Sequence, residues 1–398
     1  MKGRYDSLFA RIRRSDYERY EEIEVTVGER AYRAVAKMGL PGWPGVDPAQ
    51  QVLAEGISLP AAARVLVLGC GCGLATVVAA QQVTGGSVLA VDHSSVAIEA
   101  ARRTAGLNGV QNVIVELLAT TTGLPGAQFD AVLIDLPKGR GPVQQALAEA
   151  RRLLKVGGAV YLAGANTAGI KGYARVLEDV FGSTEVVLYR HGARVLRGVK
   201  ASPGPVGAEA APLSWQELRV KVGARDYAVA TAPGIFSWQE LDAGTAALLE
   251  TMPIRSGDRV LDLGCGNGIL GLAAAQRAKR GRVVLVDADV RAVEAARETL
   301  RLNGVQNAEV RVSDVTSALA GEVFDVVVTN LPFHAGVGAD FSVPLAFIVG
   351  SHRVLAPQGR LYLVANRFIR YEPYLEEMFS SVQPLYEDNK FKVLEAIR

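Results

Sequence analysis

The sequence repeats itself over most of its length at an offset of 195 residues. One register held over more than a hundred residues excludes chance, and a period of this length is too long for a solenoid repeat. The chain is therefore a tandem duplication of a whole domain. The paired segments include VTVGERAY (25–32) with VKVGARDY (220–227), VLVLGCGCG (65–73) with VLDLGCGNG (260–268), and LNGVQN (107–112) with LNGVQN (302–307).

The duplication divides the 398 residues into two domains, each long enough to bury its own core. We expect the first domain at 1–200 and the second at 213–398. The segment ASPGPVGAEAAP, at 201–212, has mostly Pro, Gly and Ala and offers little to pack, so it is predicted to be the linker.

Within each copy, short apolar segments with strand character alternate with helical periodicity. Runs of Val and Leu in such an alternation are typical of a mostly parallel sheet with helices on both faces. Each copy is therefore predicted to be a doubly wound, Rossmann-like α/β domain preceded by a hairpin. In the second copy we expect strands at 259–264, 282–287, 308–314, 324–330 and 359–365, and helices at 269–278, 290–304 and about 344–355.

A glycine-rich loop follows the first strand of the second copy and contains Gly264, Gly266 and Gly268. Glycines at this place let the backbone come close to a nucleoside ligand at the carboxyl edge of the sheet. A dinucleotide fingerprint needs a further glycine, where this chain has Ile269. The loop thus favours an adenosine ligand that lacks a pyrophosphate.

Three carboxylates accompany this loop. Asp287 ends the second strand, where it can accept both ribose hydroxyl groups, and Asp314 ends the third, where it can accept from an adenine amine. Asp262 places negative charge where a cationic methionyl group would lie. Each alone could merely cap a loop. The three together at one edge indicate a binding site for such a nucleoside.

The fourth strand ends in Asn330-Leu331-Pro332-Phe333-His334. With GIFSWQELDAGT at 234–245, this motif resembles the ribosomal RNA guanine-N2 methyltransferases, a family of class I enzymes that use S-adenosylmethionine and share the duplicated layout. The resemblance covers nearly the whole chain and implies a small-subunit (16S) or large-subunit RNA substrate, the former favoured. It also implies that Asn330 contacts S-adenosylmethionine, the methyl donor, as well as the guanine that receives the methyl group. Phe236 and Ser237 are expected near the active site.

The chemistry of an exocyclic amine agrees with the resemblance. The lone pair is delocalised into the ring, so the enzyme must hold the amine and accept its hydrogens. The side-chain oxygen of Asn330 and the carbonyl of Leu331 are the expected acceptors, Pro332 stiffens the turn, and the flipped base stacks on Phe333. His334 contacts either the guanine edge or its own loop. No metal is required.

Two positions qualify this assignment. Leu331 stands where the family usually has a second Pro, which keeps the carbonyl but removes some rigidity, so the rate is affected more than the reaction type. Asp242 is well placed as a helix N-cap, and its counterpart Asp47 has the same pattern.

The first copy keeps the glycines and Asp92, but has Val67 for Asp262, Ala119 for Asp314 and Asp135 for Asn330, with Lys138 for Phe333 and Gly139 for His334. We therefore expect one active domain. Residues 1–200 hold 23 basic and 18 acidic residues, against 20 and 23 in the remainder, which suggests RNA docking by the first copy. Structural support of the second copy is the alternative. The candidate docking residues, which could also be plain solvated surface, are Arg190, Arg194 and Arg197, with Arg11, Arg13, Arg14, Arg102, Arg103, Arg151, Arg152, His191 and Lys200.

The remaining expectations concern setting and partners. Three cysteines cannot form a disulfide framework, and the first residues do not have the pattern of a signal peptide, so a cytoplasmic location is expected. The sequence does not determine the oligomeric state, for which a monomer is favoured. No segment is predicted to cross a membrane. Partners are ribosomal RNA or the small subunit. Alternatives to guanine N2 are adenine N6, a glutamine side chain, or an RNA-binding assembly factor without turnover.

Overall fold

A computed structural model describes residues 17–203, 215–332 and 341–398. The chain divides into two compact units, and each is described by itself. The first unit is Glu18–Ser214. The second is Trp215–Arg398 together with Met1–Tyr17, of which Tyr17 is described.

The first unit begins with an antiparallel hairpin and continues as a seven-stranded mixed sheet in the order β5-β4-β3-β6-β7-β9-β8. Its strands are β1 (Glu21–Val27), β2 (Arg30–Ala36), β3 (Arg64–Leu68), β4 (Ser87–Asp92), β5 (Val113–Leu117), β6 (Phe129–Asp135), β7 (Leu154–Ala165), β8 (Glu185–Arg190) and β9 (Ala193–Val199). Its α-helices are α1 (Pro48–Gly56), α2 (Leu74–Gln82), α3 (Ser95–Leu107), α4 (Arg140–Leu153) and α5 (Tyr173–Phe181).

The second unit has the same plan, with a hairpin and a seven-stranded sheet in the order β14-β13-β12-β15-β16-β18-β17. Its strands are β10 (Gln216–Val222), β11 (Arg225–Thr231), β12 (Arg259–Leu263), β13 (Arg282–Asp287), β14 (Ala308–Val312), β15 (Phe324–Asn330), β16 (Leu355–Asn366), β17 (Ser381–Glu387) and β18 (Phe391–Ile397). Its α-helices are α6 (Ala243–Thr251), α7 (Ile269–Arg277), α8 (Val290–Leu302), α9 (Ser342–Val354) and α10 (Glu372–Met378).

The sheet of the second unit is built from strands buried on both faces. Val260, Leu261, Val326, Val327 and Val328 have no exposed surface, which is why these strands read as continuous apolar runs rather than as alternating patterns. Helices of the second unit pack against these strands. The carboxyl ends of β12, β13, β14, β15 and β16 consequently meet at one edge, where ligands bind in doubly wound folds.

The predicted α/β architecture is confirmed in both units, including the leader hairpins. Two antiparallel strands that complete each sheet, β8 with β9 and β17 with β18, were not predicted. Exposed residues interrupt the apolar pattern of the outermost strands, so their sequences do not show the buried periodicity of the central ones. Within the described part of the chain, no helix has the length and apolar character needed to span a bilayer.

Candidate active site

The glycine-rich loop leaves the carboxyl end of β12 and leads into α7. Gly264, Gly266 and Gly268 have φ values of +74°, +52° and +82°, in the left-handed region that favours glycine. A Cβ atom on Gly268 would lie 2.8 Å from the Cβ of Ala296, so this glycine allows α8 to pack closely. A Cβ on Gly266 would meet no atom within 4 Å. The centre of the loop is therefore open to a ligand.

Asp287, at the end of β13, fixes this loop from the side. Its Oδ2 accepts a hydrogen bond from the backbone N of Gly266 at 3.0 Å, and its Oδ1 accepts from the backbone N of Asp289 at 2.9 Å. Burial raises the pKa of Asp287 to about 6. The carboxylate thus lies beside the loop as predicted, held by the chain at both oxygens.

Asp262 is completely buried in β12, directly before the loop. Its Oδ2 accepts from the backbone N of Gly271 at 2.7 Å, whereas its Oδ1 has no hydrogen-bond partner among the described residues. Burial, and then the nearby charge of Asp287, raise the pKa of Asp262 to about 7. A buried carboxylate oxygen without a donor, beside an open glycine loop, fits the cationic methionyl end of S-adenosylmethionine.

Asp314 lies just after β14, at the same edge of the sheet. Its Oδ1 accepts a hydrogen bond from the hydroxyl of Tyr17 at 2.7 Å. Tyr17 is 9% exposed and belongs to the second unit although it precedes β1. Sequence reasoning did not identify this tyrosine, because 297 residues separate it from its partner.

Asn330 ends β15 and is held by two side chains of the α6 N-terminus. Its Nδ2 donates to Asp242 Oδ2 at 3.1 Å and to Thr245 Oγ1 at 2.8 Å. Both donor positions of the amide are thereby engaged, so its Oδ1 is oriented as an acceptor. Asp242 also caps α6 through the backbone N of Thr245 at 2.8 Å, as predicted. Its second role, orienting Asn330, was missed.

The motif continues along the edge of the sheet. The backbone N of Leu331 donates to the carbonyl of Val364 in β16 at 3.3 Å, and the Leu331 side chain is 5% exposed. Pro332 follows and is partly buried. Phe333 and His334 lie outside the described residues, so the base stacking and the edge contact predicted for them stay predictions.

Phe236 and Ser237 lie in the loop between β11 and α6, the helix that holds Asn330. Phe236 is 61% exposed. Ser237 has a φ of +59°, a conformation that is costly for a residue with a Cβ and is taken by Gly42 (φ +88°) in the first unit. The loop therefore holds an exposed aromatic ring beside a strained residue, ahead of the helix whose N-terminus contacts Asn330.

Phe347 is a further aromatic side chain at the glycine loop. It projects from α9, and a Cβ atom on Gly264 would lie 2.7 Å from its ring. Because any side chain at position 264 would clash with this ring, packing explains the glycine there. Sequence reasoning missed Phe347 because its helix lies about eighty positions further along the chain.

The equivalent cleft of the first unit has a similar loop and a different content. Asp92 Oδ2 accepts from the backbone N of Gly71 at 3.1 Å, as Asp287 does from Gly266. Gln50 is 2% exposed, and its Nε2 donates to Asp135 Oδ2 at 3.0 Å and to the carbonyl of Gly69 at 3.2 Å. A Cβ on Gly71 would lie 3.4 Å from that Nε2. Gln50 therefore covers the loop.

Three of the basic residues predicted to dock RNA, Arg190, Arg194 and Arg197, belong to the first unit and make contacts within it. Arg190 pairs with Glu55 at 3.3 Å, Arg197 pairs with Glu185 at 2.6 Å, and Arg194 donates to Asn166 and lies 4.4 Å from the ring centre of Tyr189. These three arginines lie on β8 and β9, at one end of the sheet.

Other candidates for RNA docking bind the protein itself. Lys200 is 5% exposed and donates to the carbonyl of Leu154 at 2.7 Å, so it is not available to a phosphate. Arg151 and Arg152 likewise donate to backbone carbonyls. Arg103 is exposed and paired with Glu99, and Arg102 donates to a backbone carbonyl. Arg11, Arg13 and Arg14 lie outside the described residues, and His191 is exposed in the turn between β8 and β9.

The second unit thus combines a doubly wound sheet, an open glycine loop with acidic neighbours, and an oriented amide acceptor at the end of its fourth strand. These features define a class I methyltransferase. The family model of the methyltransferase small domain matches both copies, at residues 31–197 and 226–395.

Curated relatives and a solved structure are more specific. The chain is 37% identical over 271 residues to ribosomal RNA small subunit methyltransferase C of Aeromonas hydrophila, covering 67% of this chain and 76% of that protein. It is 32% identical to the same enzyme of Hahella chejuensis, covering 78% and 87%. The T. thermophilus 16S rRNA N2 G1207 methyltransferase, in complex with AdoMet and guanosine, matches with a TM-score of 0.82 at 31% identity, covering 97% and 100%. This chain therefore belongs to the ribosomal RNA small subunit methyltransferase C family.

Proposed function

We propose that the second unit transfers a methyl group from S-adenosylmethionine to the exocyclic N2 amine of a guanine in 16S ribosomal RNA. The observation that carries this proposal is the orientation of Asn330, whose Nδ2 is held by Asp242 and Thr245. With the donor hydrogens of the amide occupied, its Oδ1 can only accept, which suits an N–H of the guanine amine.

The chain's own residues hold both reactants. Asp262, Gly266 and Asp287 hold the donor, with Asp314 at its adenine end. When bound, S-adenosylmethionine supplies a methyl group on a cationic sulfur, which leaves as a neutral thioether when N2 attacks. Asn330 Oδ1 and the Leu331 carbonyl accept the two N2 hydrogens and turn the lone pair toward the methyl group, an effect of positioning. One of those hydrogens then leaves as a proton to water.

The expected base contacts complete this arrangement. Pro332 stiffens the turn, the guanine stacks on Phe333 after leaving its helix, and Phe236 and Ser237 border the base from the loop before α6. His334 contacts the guanine edge or its own loop. The relatives favour guanine over adenine N6 and over a glutamine amide, and the G1207 of the Thermus enzyme is the first candidate for the target nucleotide.

The first unit is proposed to have no methyl transfer activity. It has Asp135 where Asn330 stands, Val67 where Asp262 stands, and Gln50 across its glycine loop. Its proposed role is to dock RNA through Arg190, Arg194 and Arg197, and salt should then weaken binding steeply. The domain limits at 1–200 and 213–398, the linker at 201–212, a cytoplasmic location and a monomeric state belong to the same proposal.

Nucleoside mass spectrometry of purified 16S ribosomal RNA tests the function. RNA from a strain without the gene should lose N2-methylguanosine, and a plasmid copy of the wild-type gene should restore it. Unchanged N2-methylguanosine with a loss of N6-methyladenosine would move the assignment to adenine. Unchanged levels of every methylated nucleoside, with a defect in subunit assembly, would favour an RNA-binding factor without turnover.

A further inference from the structure

Gly244 is a buried glycine in the first turn of α6, the helix whose N-terminus holds Asn330. Its φ lies outside the left-handed region, so the backbone conformation does not require glycine. Inside a helix glycine is less favourable than alanine, because it has more conformational freedom to lose. The reason for this glycine therefore lies in the side chains around it.

The space that a side chain at position 244 would fill is bordered by two neighbours. A Cβ atom on Gly244 would lie 3.0 Å from Cδ1 of Phe391 and 3.1 Å from Oδ2 of Asp242. Phe391 begins β18, is partly buried and packs against the core of the second unit. Both distances are shorter than an ordinary contact of about 3.5–4.0 Å. A methyl group here would therefore be pressed between the ring and the carboxylate.

The carboxylate oxygen at this place joins α6 to the acceptor amide. Asp242 Oδ2 accepts hydrogen bonds from the backbone N of Thr245 at 2.8 Å and from its Oγ1 at 3.2 Å. The same oxygen accepts from Asn330 Nδ2 at 3.1 Å. Displacing this one atom would therefore turn the amide of Asn330 and move its Oδ1 away from the guanine amine.

The first unit has a different pair of residues at these two positions. The offset of 195 places Ala49 at the position of Gly244. The pairing of β9 with β7, matched to that of β18 with β16, places Ala193 at the position of Phe391. A side chain at the helix position thus occurs in the copy without the ring, and glycine occurs in the copy that has the ring.

The capping carboxylate also differs between the copies. In the first unit Asp47 Oδ1 accepts from the backbone N of Ala49 at 2.7 Å, which is two residues further along the chain. In the second unit Asp242 Oδ2 accepts from the backbone N of Thr245, which is three residues further along. The position without a side chain, Gly244, therefore accompanies the carboxylate that reaches further along its helix, to the residue that also contacts the amide.

We propose that Gly244 and Phe391 are positioning residues for methyl transfer, and that both act through Asp242. The missing side chain at 244 leaves room for the carboxylate between Thr245 and Asn330. The Phe391 ring packs on the other side of the glycine and fixes the N-terminus of α6. This proposal rests on the proposed function and extends it from the acceptor amide to the residues that orient that amide.

Steady-state methylation of the RNA substrate tests this role. Gly244→Ala should lower kcat about tenfold, because a misplacement of about 1 Å can cost about 100-fold and this displacement is smaller. KM for RNA should stay within about twofold, since the base contacts are unchanged. The affinity for S-adenosylmethionine, measured by calorimetry, should stay within about twofold and shows that the donor pocket is folded. Gly257→Ala is the matched control, because a Cβ there would meet no atom within 4 Å, and its kcat should be unchanged.

Two double variants separate positioning from a general loss of packing. Phe391→Ala alone should lower kcat about threefold, because α6 loses the ring that packs on its N-terminus. In that background Gly244→Ala should cause no further loss, since the methyl group then has space away from the carboxylate. In Asp242→Ala, Gly244→Ala should likewise add nothing, because the atom that it displaces is absent.

The outcomes distinguish this proposal from the function on which it rests. A wild-type kcat in Gly244→Ala, or the same loss from Gly244→Ala in the wild-type, Phe391→Ala and Asp242→Ala backgrounds, would overturn the positioning role and leave guanine methylation intact. If Gly244→Ala alone no longer binds S-adenosylmethionine, the comparison of Phe391→Ala with its double variant decides. Absence of methyl transfer by the wild-type protein would instead remove the proposed function itself.

Discussion

The two units build the same loop and surround it with different side chains. In each, a carboxylate at the end of the second strand accepts from the central glycine, Asp92 from Gly71 and Asp287 from Gly266. These contacts shape the backbone, so they persist where the fold persists. The residues that would touch reactants differ between the copies. A conserved scaffold is therefore weak support for activity, and the side chains around it must be compared one by one.

The clearest difference is at one position of the first helix after each hairpin. Thr245 is short and leaves the glycine loop open, whereas its counterpart Gln50 is long enough to reach Gly69 and Asp135. The fourth strands differ in the same way. Burial, and next the charge of Asp47, raise the pKa of Asp135 to about 7, while the neutral amide of Asn330 has a fixed orientation. The pairs Gln50/Thr245 and Asp135/Asn330 each differ by one substitution. These two substitutions distinguish the covered cleft of the first unit from the open cleft of the second.

Asn330 and Asp135 should give the largest contrast. Asn330→Ala removes the oriented acceptor, and kcat should fall by about 100-fold or more, the loss typical of removing one preorganised polar contact from a transition state. Asp135→Ala, at the same place in the first unit, should leave kcat unchanged. Both are measured with labelled methyl transfer to RNA. Equal incorporation by Asn330→Ala and wild type would remove Asn330 from the mechanism.

Exchanging Thr245 and Gln50 should give the next largest effect. In Thr245→Gln, the longer side chain should cover the glycine loop of the second unit, as Gln50 does in the first. Binding of S-adenosylmethionine should then weaken by about 2 kcal/mol, or roughly 30-fold. Gln50→Thr should create no second binding event, because Val67 and Ala119 still lack the carboxylates of Asp262 and Asp314. Calorimetry gives the stoichiometry and affinity of both variants. Tight binding by Thr245→Gln would contradict the covering role assigned to Gln50.

The sequence predicts the scaffold of the second unit better than its site. Strands β12, β13 and β15 are found within one residue of their predicted limits, because burial on both faces leaves a strong apolar pattern. The glycine loop and the Asp242 cap follow from local geometry and were found as well. The contact of Asp242 with Asn330 joins side chains 88 residues apart. Local periodicity contains no information on such a contact.

Comparing the copies in sequence identified what the first unit has lost, but not what it has gained. Val67 and Ala119 stand where the second unit has Asp262 and Asp314, so the loss of these two carboxylates can be read from the sequence. Gln50 is an ordinary polar residue near the start of a helix, and only its 2% exposure and its bonds to Gly69 and Asp135 show that it occupies the cleft. Pairing Gln50 with Thr245 at the repeat offset was the signal available, since the two differ in length by two heavy atoms.

Asp262 and Asp287, beside the glycine loop of the second unit, should make the affinity for S-adenosylmethionine depend on pH, with a change of about tenfold. The raised pKa values of Asp262, to about 7, and Asp287, to about 6, mean that the ligand-free fold holds protons that the unfolded chain releases near pH 4. The free energy of unfolding should therefore fall as pH rises from about 4 to about 7. A cationic donor favours the ionised carboxylates, so its affinity should rise over about pH 5.5–7.5 with release of protons.

Calorimetry in two buffers of different ionisation enthalpy measures those released protons. Asp262→Asn should flatten the upper part of the affinity profile, near pH 7, since an amide does not titrate, and leave the step near pH 6 that belongs to Asp287. The first unit has Val67 at the position of Asp262, so this change in the affinity profile belongs to the second unit alone. A profile that keeps its full slope in Asp262→Asn would exclude Asp262 as the titrating group.

The smallest expected effect concerns Tyr17, whose hydroxyl donates to Asp314. The first unit has Ala119 in place of that carboxylate, so this contact cannot be made there. Tyr17→Phe removes this one hydrogen bond and keeps the buried ring. Because the hydroxyl acts on the donor through Asp314, affinity for S-adenosylmethionine should fall by only about threefold. In Asp314→Ala the same change at Tyr17 should have no further effect, since the two groups act as one unit.

Tyr20→Phe, which keeps the ring 4.0 Å from the Arg103 guanidinium, is the control and should bind as the wild type does. Additive losses from Tyr17→Phe and Asp314→Ala would show that the tyrosine does not act through the carboxylate.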